Sequence, residues 1–129
     1  MSGFGASTPF LLIARIHVKP GILNQYLELA AATDAAVQES EPGMLHHTFD
    51  QDPDDPLAFV WSEVYANDQA FLAHLVNPPV GDYLAKHADL GDSFSVEVYG
   101  TVGAECRATM ESIGLPLKIY ETICGYSRV

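Results

Sequence analysis

His74 closes the run FVWSEVYANDQAFLAH, from Phe59 to His74, and is the side chain best suited to move a proton. An imidazole titrates near neutrality, and burial keeps it unprotonated, so an inward His74 has the properties of a general base. It shares a predicted helix face with Ala70, Phe71 and Leu75, which directs it at a sheet rather than at water. The competing role is a buried neutral histidine with one hydrogen bond. On the strand before it, Phe59, Trp61, Glu63 and Tyr65 fall on one face, an aromatic wall that includes a carboxylate. Such aromatics are also ordinary core. An inward Glu63 needs a partner, because an unpaired buried carboxylate costs several kcal/mol. Arg15 or His47 can supply one, and structural pairing is its expected role.

Other ionisable groups carry weaker signals. Asp34 lies one heptad after Leu27 on a helical stripe; the expectation is that it meets solvent, the alternative that a second carboxylate reaches the site. His46-His47 is no metal pair, since adjacent strand residues face opposite ways. A centre built from His17, His47, His74 and a carboxylate would need a convergence that spacing does not supply. The acidic turn Asp50, Asp52, Asp54, Asp55 lacks the glycine and terminal glutamate of a calcium loop and reads as solvated. Phosphate loops, GxSxG, HExxH and CxxC motifs are absent, which weakens a nicotinamide or P-loop reading.

These groups must be positioned by regular elements. Phe10 to Lys19 alternates, with apolar residues on both faces of its first half, and predicts a central strand ended by Pro20-Gly21. Ile22 to Ser40 has helical spacing through Leu23, Tyr26, Leu27, Ala30 and Val37, and Glu41-Pro42-Gly43 stops it. A second strand places Leu45, His47 and Phe49 opposite Met44, His46 and Thr48, and pairs as a hairpin with a third, Leu57 to Tyr65. Asn67 or Asp68 caps the next helix. Asn77-Pro78-Pro79 interrupts it, and a second piece aligns Val80, Tyr83, Leu84 and His87. Phe94, Val96, Val98 and Val102 then alternate in a fourth strand.

The order β-α-β-β-α-β is that of a ferredoxin-like α+β sandwich. Its two helices cover one sheet face, so a second copy of the chain is the expected cover for the other. Residues 1–129 are expected to form one domain, with a core of about 10–103 and a helix-strand extension over 104–129. The strand of that extension, Leu117 to Cys124, is free to join its own sheet or a partner's. Seventeen acidic against six basic residues, a formal charge of −11, exclude the cationic surface that nucleic acid or an anionic membrane demands. No apolar run approaches the roughly 20 residues of a membrane helix, and Met1–Pro9 does not resemble a signal peptide. A cytoplasmic location is the expectation. Cys106 and Cys124 are expected as free thiols, a disulfide being the lesser alternative in an oxidising compartment.

Four segments, Val18-Lys19-Pro20-Gly21, Glu41-Pro42-Gly43, Glu63-Val64-Tyr65 and Ala70 through His74, resemble the antibiotic biosynthesis monooxygenase family, which includes quinol monooxygenases. The likeness spans roughly Leu11 to Gly100, about two-thirds of the chain. It implies a homodimeric α+β barrel with one pocket per subunit between sheet and helices. It also implies cofactor-independent oxidation of a quinol-like or anthrone-like aromatic by dioxygen. His74 would then be the catalytic base, with Tyr26, His47, Trp61, Tyr65, Tyr83 and His87 around the substrate. The chain departs from many members at Pro78-Pro79-Val80, where they carry a histidine. It departs from the haem-degrading branch at Ala14 and His74, where that branch has asparagine and tryptophan. Related families imply two alternatives: an isomerase of a small phosphorylated carbonyl compound, and a non-enzymatic dimeric ligand- or haem-binding module.

Overall fold

Alternation along the first strand decides which way the sheet faces. In the computed structural model, which describes Phe4, Gly5 and residues 7–129, this strand is β1 (Phe10–Val18). Its residues Phe10, Leu12, Ala14, Ile16 and Val18 are all buried. The remaining elements are α1 (Leu23–Ser40), β2 (Met44–Gln51), β3 (Ala58–Tyr65), α2 (Asp68–Val76), α3 (Pro78–Leu90), β4 (Gly91–Tyr99), α4 (Ala104–Ser112) and β5 (Leu117–Tyr120). The strands lie in the order β2-β3-β1-β4-β5. All pairs are antiparallel except β4 with β5. The first four strands have the expected ferredoxin-like arrangement, and β5 extends the β4 edge of its own sheet.

Local chemistry explains the boundaries. The Asn67 side chain accepts a hydrogen bond from the Ala70 N–H at 2.9 Å and starts α2. Pro78 cannot donate to the preceding turn, so α2 stops and α3 begins with proline in its first turn. The fourth strand ends at Tyr99, short of the Val102 its alternation suggests, because Gly100 turns the chain with φ of 152°. A bulge between Met44 and His46 also shifts β2. Met44 therefore pairs opposite Tyr65 and shares the face of His47 and Phe49, whereas Leu45 is 45% exposed, a correction to simple alternation.

The inward face carries Leu12, Ala14, Phe59, Trp61, Tyr65 and Val98 under side chains from α1 to α4. Leu11, Ile13, Val60 and Val64 lie half-buried on the opposite face. There Arg15 contacts Glu97 at 3.4 Å, and Tyr99 stacks on Tyr120. Cys106 is buried and Cys124 exposed, and both thiols are free. Among the described residues no helix is long and apolar enough to cross a membrane.

Gly43 fixes the approach of α2. A Cβ built there would lie 2.7 Å from Ala70 Cβ, so any side chain at 43 must push the helix away. Gly43→Ala is expected to lower stability by about 1–3 kcal/mol through overpacking. Thermal denaturation of Gly43→Ala, Ala70→Gly and the double variant checks this. The two changes should be less than additive, since removing the Ala70 methyl relieves the clash.

Candidate functional site

Side chains from the inward sheet face and all four helices line a cavity of about 80 Å³ that is partly open to solvent. Most of its wall is apolar, and its polar groups are His47 on β2, Glu63 and Tyr65 on β3, His74 on α2, Tyr83 on α3 and Thr33 on α1. Each strand contributes by alternation, and each helix by its inward stripe. His74 is 8% exposed. Its Nδ1 lies 2.9 and 3.0 Å from the two oxygens of Glu41. A carboxylate only accepts, so Nδ1 carries a proton, and Nε2 has no hydrogen-bond partner among the described residues. Asn77 donates from Nδ2 to the same carboxylate at 2.7 Å. Burial raises the Glu41 pKa, but the hydrogen bonds from His74 and Asn77 outweigh that and hold it below the ordinary value.

His47 sits between two further carboxylates. Its Nδ1 is 2.7 Å from Asp34 Oδ1 and its Nε2 is 3.5 Å from Glu63 Oε2, so both nitrogens face acceptors as in an imidazolium. Burial alone would lower its pKa; the hydrogen bond and charge of Glu63, then those of Asp34, reverse the shift and raise it. The ring stacks on Trp61 with centroids 4.6 Å apart, and its centroid is 6.1 Å from that of His74. Tyr65 donates to Glu63 Oε1 at 2.5 Å. Burial, then the Glu63 charge, drives the Tyr65 pKa well upward, so it remains a phenol.

A third network lies behind the wall. His87 Nε2 is 3.0 Å from the Ser93 carbonyl and must donate to it, which leaves Nδ1 to accept from the Tyr26 hydroxyl at 2.7 Å. Tyr83 then donates to Tyr26 at 2.5 Å and accepts from Trp61 Nε1 at 2.9 Å. Every polar atom in this network has a fixed role, and the faces of Trp61 and Tyr83 are locked against the cavity. Burial lowers the His87 pKa and pushes Tyr83 up to about 12, so both stay neutral. A Cβ on Gly91 would lie 2.1 Å from His87 Cε1, so only glycine lets β4 start so close to the ring.

The cavity thus brings together His74, His47, Trp61, Tyr65 and Tyr83. Tyr26 and His87 do not line it and act through Tyr83. Of the two partners proposed for Glu63, His47 is the one; Arg15 points to the other sheet face. Asp34 is 43% exposed yet hydrogen-bonded to His47, so it meets solvent and the polar cluster together. His17 lies away from the cavity, held between Asp55 and Asp92 at 3.0 and 2.9 Å. Sequence reasoning missed Glu41 and Asn77, whose turn-and-stop composition concealed their contacts. It also missed Met110, Ile113, Leu115 and Leu117, which close the cavity from the extension.

A ferredoxin-like sheet with helices over an amphipathic cavity defines a broad class of small α+β proteins. Within it, residues 9–86 match the family model for antibiotic biosynthesis monooxygenases, and the chain belongs to that family. It is 29% identical over 86 residues to the uncharacterized protein sll1783 of Synechocystis, covering 67% of this chain and 58% of that relative's length. The fold is similar to that of MupZ from Pseudomonas fluorescens, with a TM-score of 0.76 and 18% identity over 94% of this chain and 95% of the other. It is also similar to a Caulobacter crescentus protein provisionally named an antibiotic biosynthesis monooxygenase. That match has a TM-score of 0.68 and 17% identity over 72% of this chain and 89% of the other.

The raised pKa of His47 fixes a sign for stability. An imidazole whose folded pKa exceeds its unfolded value of 6.5 stabilises fully below that value, and the contribution is lost as pH rises through the folded pKa. Melting temperatures should therefore fall less steeply above pH 6.5 in His47→Gln than in wild type, with His17 contributing equally to both. A parallel pair of curves would show that His47 is not protonated in the fold.

Proposed function

We propose that this protein is a cofactor-independent monooxygenase that oxidises a quinol-like or anthrone-like aromatic with dioxygen. The observation that carries this reading is His74, oriented by a buried carboxylate on Nδ1 and placed in the wall of an aromatic, largely apolar cavity. Nε2 takes a proton from the substrate, and Glu41 stabilises the imidazolium that forms. The resulting anion gives one electron to dioxygen, and recombination forms a carbon–oxygen bond. The peroxide takes a proton and loses water, so that for an anthrone a CH₂ group and O₂ become a C=O group and H₂O. Electrons come from the substrate alone. His47, positively charged and beside His74, favours the anionic intermediate electrostatically. No lysine or arginine stands among the described residues lining the cavity, which counts against a phosphorylated substrate.

The active unit in this reading is a homodimer joined through the apolar outward sheet face that includes Leu11, Ile13, Val60 and Val64. Sedimentation equilibrium is expected to give twice the 14.0 kDa chain mass, and Ile13→Lys to shift the protein toward monomer. A wild-type monomer at micromolar concentration would refute the assembly.

Oxygen uptake with a panel of quinols and anthrones tests the chemistry. His74→Ala should lose about 10²–10⁴-fold in kcat, the span typical of a general base. Glu41→Gln should lose less, because it removes the counter-charge and leaves the base. Absence of uptake with every substrate, or an unchanged rate in His74→Ala, would overturn the proposal.

A further inference from the structure

The cavity is chemically two-ended, and the extension outside the matched family region makes the second end. On the sheet its charged side chains are His47 on β2 and Glu63 on β3, at the left of the strand order β2-β3-β1-β4-β5, while His74 stands on α2, which packs against α3 and α4. Beyond β1 the lining becomes hydrocarbon: Phe94 and Val96 on β4, Leu117 on β5, and Met110 and Ile113 from α4. Adjacent strands are about 4.8 Å apart, so the lining spans about 19 Å from β2 to β5 and about 10 Å from β1 to β5. The extension is firmly seated. The Gly103 N–H donates to Asp68 at 2.8 Å, Cys106 and Met110 are buried, and Leu117 pairs beside Val96.

Ala14 stands where the two ends meet. It lies opposite Trp61 on β3 and Val96 on β4, and contributes only a methyl group to the lining. A larger side chain there would separate the polar compartment from the apolar one. The ring to be deprotonated must lie at the His74 end, which leaves the apolar end for another part of the same molecule.

We infer that the substrate carries an uncharged hydrocarbon arm, which crosses the sheet at Ala14 and ends against the lining of β4 and β5, with Ile113 beside it. The ring end of this inference rests on the oxidation reading above; the arm rests on the lining. Ala14, Ile113 and Leu117 are then the specificity-determining residues, favouring long-armed over short-armed quinols.

Trp61 is the single tryptophan of the chain and lines the cavity, so its fluorescence reports occupancy whether or not oxygen is consumed. The full chain is titrated without oxygen with methyl-, butyl-, heptyl- and nonyl-hydroquinone, and with a heptyl arm ending in carboxylate. In wild type Kd should fall roughly threefold per buried methylene until the arm outruns the wall. The carboxylate arm should bind at least about tenfold more weakly than plain heptyl, since its charge is desolvated without a partner. In Ala14→Leu and in Ile113→Phe the methyl-to-nonyl Kd ratio should shrink by about tenfold or more. A flat wild-type series, equal binding of the charged arm, or an unaltered ratio in the variants overturns the inference. Should Ala14→Leu fail to fold by circular dichroism, the partly exposed Ile113 position decides. A steep series without oxygen uptake would sink the oxidation reading and leave the arm standing, and a flat series with uptake would do the reverse.

Discussion

Glu41 and Glu63 are buried on the apolar side of the sheet, and neither carboxylate can remain there without charged or hydrogen-bonding company. Each is matched by an imidazole, Glu41 by His74 and Glu63 by His47. This constraint sets the arrangement around it. The turn after α1 must close tightly enough to place Glu41 under α2, which requires Gly43 against Ala70. The bulge in β2 must hold His47 opposite Glu63 while leaving His46 on the far side.

The two histidines differ in chemistry because they differ in neighbours. His74 meets one carboxylate, through Nδ1 alone. His47 meets carboxylates at both nitrogens, and against the effect of burial their hydrogen bonds and charges raise its pKa. In the proposed reaction this asymmetry suits removal of a proton at His74 followed by stabilisation of the anion left behind beside His47. The Trp61–Tyr83–Tyr26–His87 chain contributes rigidity instead of charge: its burial keeps His87 and Tyr83 neutral, so it holds aromatic faces in place without adding a competing ion.

The extension shows how a small fold acquires a longer cavity without a second domain's worth of chain. The match over residues 9–86 ends before β4, α4 and β5, yet side chains from these later elements form the apolar end of the cavity. Parallel addition of β5 to β4 continues the inward alternation by one strand, which brings Leu117 beside Val96. The polar end of the cavity thus belongs to the matched region, and its apolar end largely to β4, α4 and β5.

Periodicity and punctuation in the sequence determined the strand and helix order, the inward direction of His74, Trp61 and Tyr65, and the break at Asn77-Pro78. Those are local properties: alternation fixes a strand's face, helical spacing fixes a helix's stripe, and proline removes a backbone donor whatever surrounds it. Contacts between groups far apart in the chain were decided only by the tertiary structure. Glu41 and His74 are 33 residues apart, and Tyr26 and His87 are 61 apart. Nothing in either local pattern names the partner, since pairing depends on how closely two elements pack. The same reason explains Glu41, a residue that reads as a helix stop and becomes the carboxylate hydrogen-bonded to His74. His74 stood out from its own neighbourhood; what orients it came from packing.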